Sequence, residues 1–273
     1  MKKLTYLLTV LFIFGCADLD LSPTDMISEE AVKKDPRLVE AFLTKIYANA
    51  VFEPNEVSSM KGQERLTDAV VGAEYTLMAP WQNAVKASYN IPTSSGAHNN
   101  LNRWHYGNIR SCNEMIDILN NASFDPQTIQ QQIAEAKFLR AWMYLDMTKR
   151  YGGMPLELSA KSVDSSVDEL MIPRSTLQAT YDQIISDLDA GIADLPGTAL
   201  YGKATKWAAY ALKSRAALYA ARIAKYHPQS SNGLTSIPSG SSGGYYAMAL
   251  ASANAVIDGG KHPLHTGSNK VTT

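Results

Sequence analysis

Trp81, Asn83, Tyr89, Asn99 and Asn100 fall within one stretch of the chain that is rich in Pro, Gly, Ser and Asn. Flat apolar rings set among amide donors and acceptors match what a sugar ring requires, a face to stack on and fixed polar groups for its hydroxyls. These five residues are the candidate ligand contacts. A second reading has Trp81 and Tyr89 pinning the loop to neighbouring helices. His262 and His265 have the i, i+3 spacing of a metal pair, but Pro263 breaks the helix that would align them. They read as loop histidines facing solvent, and no metal is expected. Asp187 and Asp189 lie on different faces of a helix and are poor candidates for a paired-carboxylate acid/base site. Asp146 and Arg150, at i, i+4, read as a surface ion pair contributing a few tenths of a kcal/mol. The sequence contains no GxSxG, HExxH, CxxC, P-loop or GxGxxG pattern. Neither an enzyme nor a cofactor is therefore expected. Arg140 and Arg215 each interrupt a largely apolar helix. Either they contact a partner or, the favoured reading, each guanidinium satisfies a carbonyl or carboxylate between helices.

Cys16 carries chemistry of another kind. Lys2 and Lys3 precede an apolar run, Leu4 to Phe14, which ends at Gly15-Cys16. At roughly 16 Å the run is too short for a bilayer core of about 30 Å, so it reads as a signal peptide rather than a spanning helix. Ile13-Phe14-Gly15-Cys16 resembles a bacterial lipobox, in which the cysteine is acylated; Phe14 departs from the small residue usual there. Residues 1–15 are then a lipoprotein signal peptide, Cys16 is the lipid attachment site, and 16–28 form a polar tether. The alternative is an ordinary signal peptide with an incidental cysteine. Several acyl chains anchor stably where one does not. Cys112 would remain as the only thiol, and burial in a helix is its expected fate.

Composition narrows the rest. The chain has 273 residues, 45% hydrophobic and 19% charged, with 25 Lys+Arg against 26 Asp+Glu. That is enough to bury a real core, and it is neither disordered nor multispan membrane in type. A nucleic-acid partner is not expected without a basic surplus. Loss of Lys2 and Lys3 with the signal would leave a net charge of −3, which favours a neutral ligand over a polyanion.

Helical periodicity dominates residues 29–273, which read as one domain. Asp35-Pro36 and Asp125-Pro126 each give an N-cap followed by Pro at the first helical position. The second opens a helix expected to reach Tyr151, apolar nearly all round and so central, with Trp142 in its apolar centre. Gly152-Gly153-Met154-Pro155 ends it. Ser175 to Gln178 has the form of a capping box. Residues 203–226 form an alanine-rich helix, and 245–257 a last one. Residues 53–101 read as a long ordered loop, apart from a short helix over Gln63–Tyr75; residues 228–244 form another loop. No segment alternates convincingly, so the fold class is all-α. Arg140-Ala141, Tyr144 and Tyr151 recur 75 residues later as Arg215-Ala216, Tyr219 and Tyr226, and Ala134 and Ala136 as Ala209 and Ala211. Such recurrence is what stacked helix hairpins of tetratricopeptide-like type produce.

Ala134 to Ala141 running into Tyr144, followed by Tyr151-Gly152-Gly153-Met154-Pro155-Leu156, resembles the hallmark helix of the SusD/RagB family. Ile172 to Thr176 leading to Tyr181 and Asp187-Leu188 is similar to the family's next helix, and Gly202 to Lys206 leading into Ala211 to Arg215 to the one after. Ile109-Arg110 with Asn113, and Tyr246 through Asp258, also fit, all in the family's order. The resemblance implies a non-catalytic outer-membrane lipoprotein facing the cell surface. Such a protein captures a glycan or a peptide and caps a TonB-dependent β-barrel transporter of the SusC-like kind. Asp18 and Asp20 fit loosely the acidic residues that accompany surface export. Family members are about twice this length, so the resemblance covers the N-terminal helical-repeat half. A fragment, a truncated gene product or a reduced scaffold would each look this way. The alternatives to capture are a helical-repeat adaptor with no small-molecule ligand and a truncated member without function.

Overall fold

The computed structural model describes residues 29–50, 104–162, 164–200 and 202–263. It is all-α, as expected, with no strand among the described residues. The helices are α1 (Glu29–Val32), α2 (Pro36–Asn49), α3 (Tyr106–Asn120), α4 (Pro126–Tyr151), α5 (Val167–Leu170), α6 (Leu177–Asp194), α7 (Lys206–Tyr226) and α8 (Ser242–Asp258), with a 3-10 turn at Ser239–Ser241. The long helices pack in chain order: α2 on α3, α3 on α4, α4 on α6, α6 on α7, and α7 on α8. This is the stacked-hairpin arrangement the internal repeat implies. The expected loop over 53–101, with its helix over 63–75, lies outside the described residues, as do the signal peptide and tether.

Local chemistry sets the helix ends. Asp35 accepts from the Arg37 amide, and Asp125 from the amide of Thr128 at 2.8 Å and its hydroxyl at 2.7 Å. Each satisfies an amide that the first helical turn leaves open. The α4 helix runs to Tyr151, as read from sequence, and stops at Gly152, whose φ of +79° suits glycine. Sixteen of its 26 residues are buried, which makes it the central helix. Trp142 is only half-buried against the core, not at its centre.

The capping box proves to be displaced. Thr176, not Ser175, caps α6 by accepting from the Ala179 amide, while the Gln178 side chain reaches across to Ser241 Oγ. A complete box occurs instead at Ser166 and Glu169, on the short α5. The α7 helix buries Ala209, Ala216, Ala217, Ala220, Ala221 and Ala224, and these small side chains let α6 and α8 approach closely. Ser214 Oγ donates to the Ala249 carbonyl at 2.8 Å, fixing α8 on α7. The loop over 228–244 is tied down: Gly153 N–H donates to Leu234 O at 2.7 Å, and Leu177 N–H to Gly233 O at 2.8 Å. Close backbone approach on two sides accounts for the paired glycines. A Cβ at Gly152 would strike the Leu234 carbonyl, and one at Gly153 the backbone of Ser175 to Leu177.

Candidate functional site

The end of α4 and the start of α3 meet at an aromatic shelf. Trp104 is 57% exposed and stacks on Tyr151 with centroids 4.5 Å apart and planes within 6°. Tyr106 lies 6.3 Å away on the same stack and meets the buried Tyr144 edge-on at 6.5 Å. The rings thus run from the surface into the core, in geometries that aromatic pairs prefer.

Hydrogen bonds hold the shelf from behind. Tyr106 OH donates to Pro155 O at 3.0 Å, and Tyr144 OH accepts from the Glu157 amide at 2.7 Å. Arg174 donates from Nε to Gly153 O at 2.8 Å and from Nη2 to Tyr151 O at 2.5 Å. These contacts satisfy the carbonyls left open where α4 ends. Next to Trp104 in the chain, His105 Nε2 lies 3.0 Å from Asp146 Oδ2, and Arg150 Nη1 donates to Asp146 Oδ1 at 2.5 Å. The Asp146 and Arg150 side chains are only 3% and 10% exposed. The expected surface pair is therefore a buried one, because residue spacing along α4 cannot reveal that α3 brings His105 down onto it. Burial alone would raise the Asp146 carboxyl, but His105, Arg150 and Lys149 together hold it down at about 2.

A second buried network joins α3, α4 and α6. Arg140 forks onto Asp187, Nε to Oδ2 at 2.8 Å and Nη2 to Oδ1 at 2.6 Å. Its Nη1 donates to Asn113 Oδ1 at 2.7 Å, and Gln183 adds a donor to Asp187 at 3.1 Å. Burial works against the guanidinium charge, and Asp187 overcomes it. Arg140 therefore has the structural role expected of it. Arg215, its counterpart in the repeat, is exposed instead.

The arrangement offers surface rather than acid–base chemistry. Burial raises the phenols of Tyr106 and Tyr144 well above their ordinary range. Cys112 is fully buried, as expected, and its thiol is pushed up to about 12 by that burial. His262 is exposed. Among the described residues no group of three or more His, Cys, Asp or Glu side chains could hold a metal ion. No helix among them is long and apolar enough to cross a membrane. Cys16, Trp81, Asn83, Tyr89, Asn99, Asn100 and His265 lie outside the described residues. Trp104 and Tyr106 belong to no motif. Their one signal in the sequence is two aromatics at i, i+2 beside the first turn of α3, and their partner Tyr151 is distant along the chain.

The SusD-like family, described as starch-binding and associating with the outer membrane, matches residues 19–218. The chain is 25% identical to SusD-like protein P2 of Formosa agariphila over 222 residues, which are 74% of this chain and 40% of that protein. A SusD-like protein of Bacteroides ovatus is 24% identical over 228 residues, 81% of this chain and 39% of its own. Among solved structures, a SusD-like protein from Bacteroides fragilis superposes with a TM-score of 0.63 at 25% identity, covering 87% of this chain and 40% of that one. A laminarin-binding SusD-like protein shares the fold, with a TM-score of 0.57 at 19% identity over 82% of this chain and 43% of that one. The chain thus spans about two fifths of the length of the curated relatives it matches. With the match running through α2, α3, α4 and α6 in order, the chain belongs to the SusD-like family.

Proposed function

We propose that this chain captures glycan at the cell surface, without catalysis, as a lipoprotein anchored in the outer membrane through Cys16. Its partner in this reading is a TonB-dependent β-barrel transporter, onto which it docks and to which it delivers the glycan. The observation that carries the proposal is the match of residues 19–218 to a family described as starch-binding and associating with the outer membrane. The exposed Trp104–Tyr151 stack supports it, because an aromatic face fits the apolar face of a pyranose ring. Trp81, Asn83, Tyr89, Asn99 and Asn100 are proposed as further contacts, with amides for the hydroxyls. A peptide would also use aromatic anchors, but the family description favours glycan.

Copurification from detergent-solubilised outer membranes tests anchor and partner together. The expected result is a complex with a β-barrel of the transporter class, and release of the Cys16→Ala variant from membranes after a salt wash. Recovery of the wild-type chain in the soluble fraction, with no barrel attached, would contradict the proposal.

A further inference from the structure

The near-neutral total charge hides a segregation along the chain. No acidic residue occurs between Asp194 and Asp258, yet Lys203, Lys206, Lys213, Arg215, Arg222 and Lys225 all fall there. Several of these cations are already engaged. Lys203 reaches Glu40 and Glu135, and Lys213 pairs with Asp189, while Lys206 is half-buried. Arg222 and Lys225 differ. Both are exposed, and both stand over tyrosine rings: Arg222 6.0 Å and Lys225 5.1 Å from the centroid of Tyr226, with Lys225 also 5.9 Å from Tyr246.

Arg222 lines a groove of about 470 Å³ along the last turns of α7, with Leu218, Tyr219, Ile223, Tyr226 and His227, and Lys225 stands over the ring of one lining residue, Tyr226. The internal repeat gives the groove its meaning. Tyr219 and Tyr226 occupy the positions of Tyr144 and Tyr151 in the first copy. There Tyr144 is buried and Tyr151 lies under Trp104. In the second copy the same residue types are 41% and 66% exposed.

We propose that this groove binds an anionic saccharide, one bearing carboxylate or sulfate groups on its rings. The exposed edges of Tyr219 and Tyr226 offer apolar contact for the sugar ring, and the exposed Arg222 guanidinium presents a planar fork of donors to an oxyanion. Lys225 adds a second positive charge within the same turn. One effect opposes the anion: the C-terminus of α7 carries about half a negative charge from its aligned peptide dipoles. Two full side-chain charges outweigh it. The charge sum of the whole chain, which favours a neutral ligand, does not describe this face, because its local balance has the opposite sign. The inference rests on the glycan-binding reading above and narrows the class of glycan.

Calorimetric titration of the full chain with oligogalacturonate, a sulfated galactan oligosaccharide and a neutral galactan oligosaccharide of equal length tests it. The expected result is saturable binding of the acidic oligomers that weakens about tenfold or more in Arg222→Gln/Lys225→Gln, with neutral binding unchanged. Acidic binding should also weaken between about 50 and 500 mM salt, since exposed charges are screened over that range. Tyr226→Ala should weaken it while leaving the charges in place. If the neutral oligomer binds and the acidic ones bind no tighter, or if acidic binding survives both variants, this inference fails and the glycan-binding reading stands. Binding of none of the three overturns both. Protection of Tyr219 and Tyr226 from hydroxyl-radical footprinting by the copurified barrel, but not by acidic oligomers, would assign the groove to a polypeptide and overturn the inference.

Discussion

Asp187→Ala should be the most damaging single change in the helical stack. Its carboxylate is 4% exposed and takes two short hydrogen bonds from Arg140, itself 6% exposed. Removing it leaves a guanidinium in the core with only Asn113 Oδ1 and the Leu158 carbonyl as acceptors. A buried pair broken from one side costs about 3–5 kcal/mol, because the remaining charge keeps its desolvation penalty and loses its compensation. At a urea slope of about 2 kcal/mol per M, the midpoint should fall by roughly 1.5–2.5 M in far-UV circular dichroism. The paired variant Arg140→Leu/Asp187→Leu removes both charges and should recover much of the loss, so the two changes are not additive. A midpoint shift below about 0.5 M for Asp187→Ala would refute the reasoning, because it would mean that water reaches the pair.

Three further expectations concern the shelf and its surroundings. Asp146 titrates at about 2 when folded, below its ordinary 3.8. Its contribution of about 2 kcal/mol is therefore complete above pH 4 and lost as pH falls toward 2, and Asp146→Asn should remove that part of the acid-unfolding profile. Gly153→Ala should destabilise by about 1–3 kcal/mol, measured by urea unfolding, since its Cβ meets backbone rather than a yielding side chain. Cys112, in a Cys16→Ala background, should ignore Ellman's reagent at pH 8 in the folded chain and react promptly in urea, because a buried thiol titrating near 12 presents almost no thiolate.

What the sequence reveals here follows from how far apart the interacting residues are. Caps act over three residues, so Asp35-Pro36 and Asp125-Pro126 announce their helices directly. The central place of α4 shows in its all-round apolarity, and the repeat anticipates the stacking. The displaced cap of α6 has a tertiary cause: Gln178 is taken by Ser241, which belongs to the distant loop before α8. The same holds for Asp146, which spacing alone makes a surface residue. His105 and Met147 come together only when α3 docks on α4. Trp104 and Tyr151, 47 residues apart, share no local pattern that would predict their contact. Cys16, Trp81, Asn83, Tyr89, Asn99 and Asn100 lie outside the described residues, rest on the sequence alone, and belong to the proposed function.

Titration of the chain with neutral oligosaccharides tests the central claim most directly, with tryptophan fluorescence as the signal. The account predicts saturable quenching or enhancement near the millimolar range, about −4 kcal/mol, weakened by Trp104→Ala and by Trp81→Ala. No saturable response to any pool, neutral or acidic, would contradict glycan capture, and a neutral response unchanged in both variants would remove these two aromatics from the site.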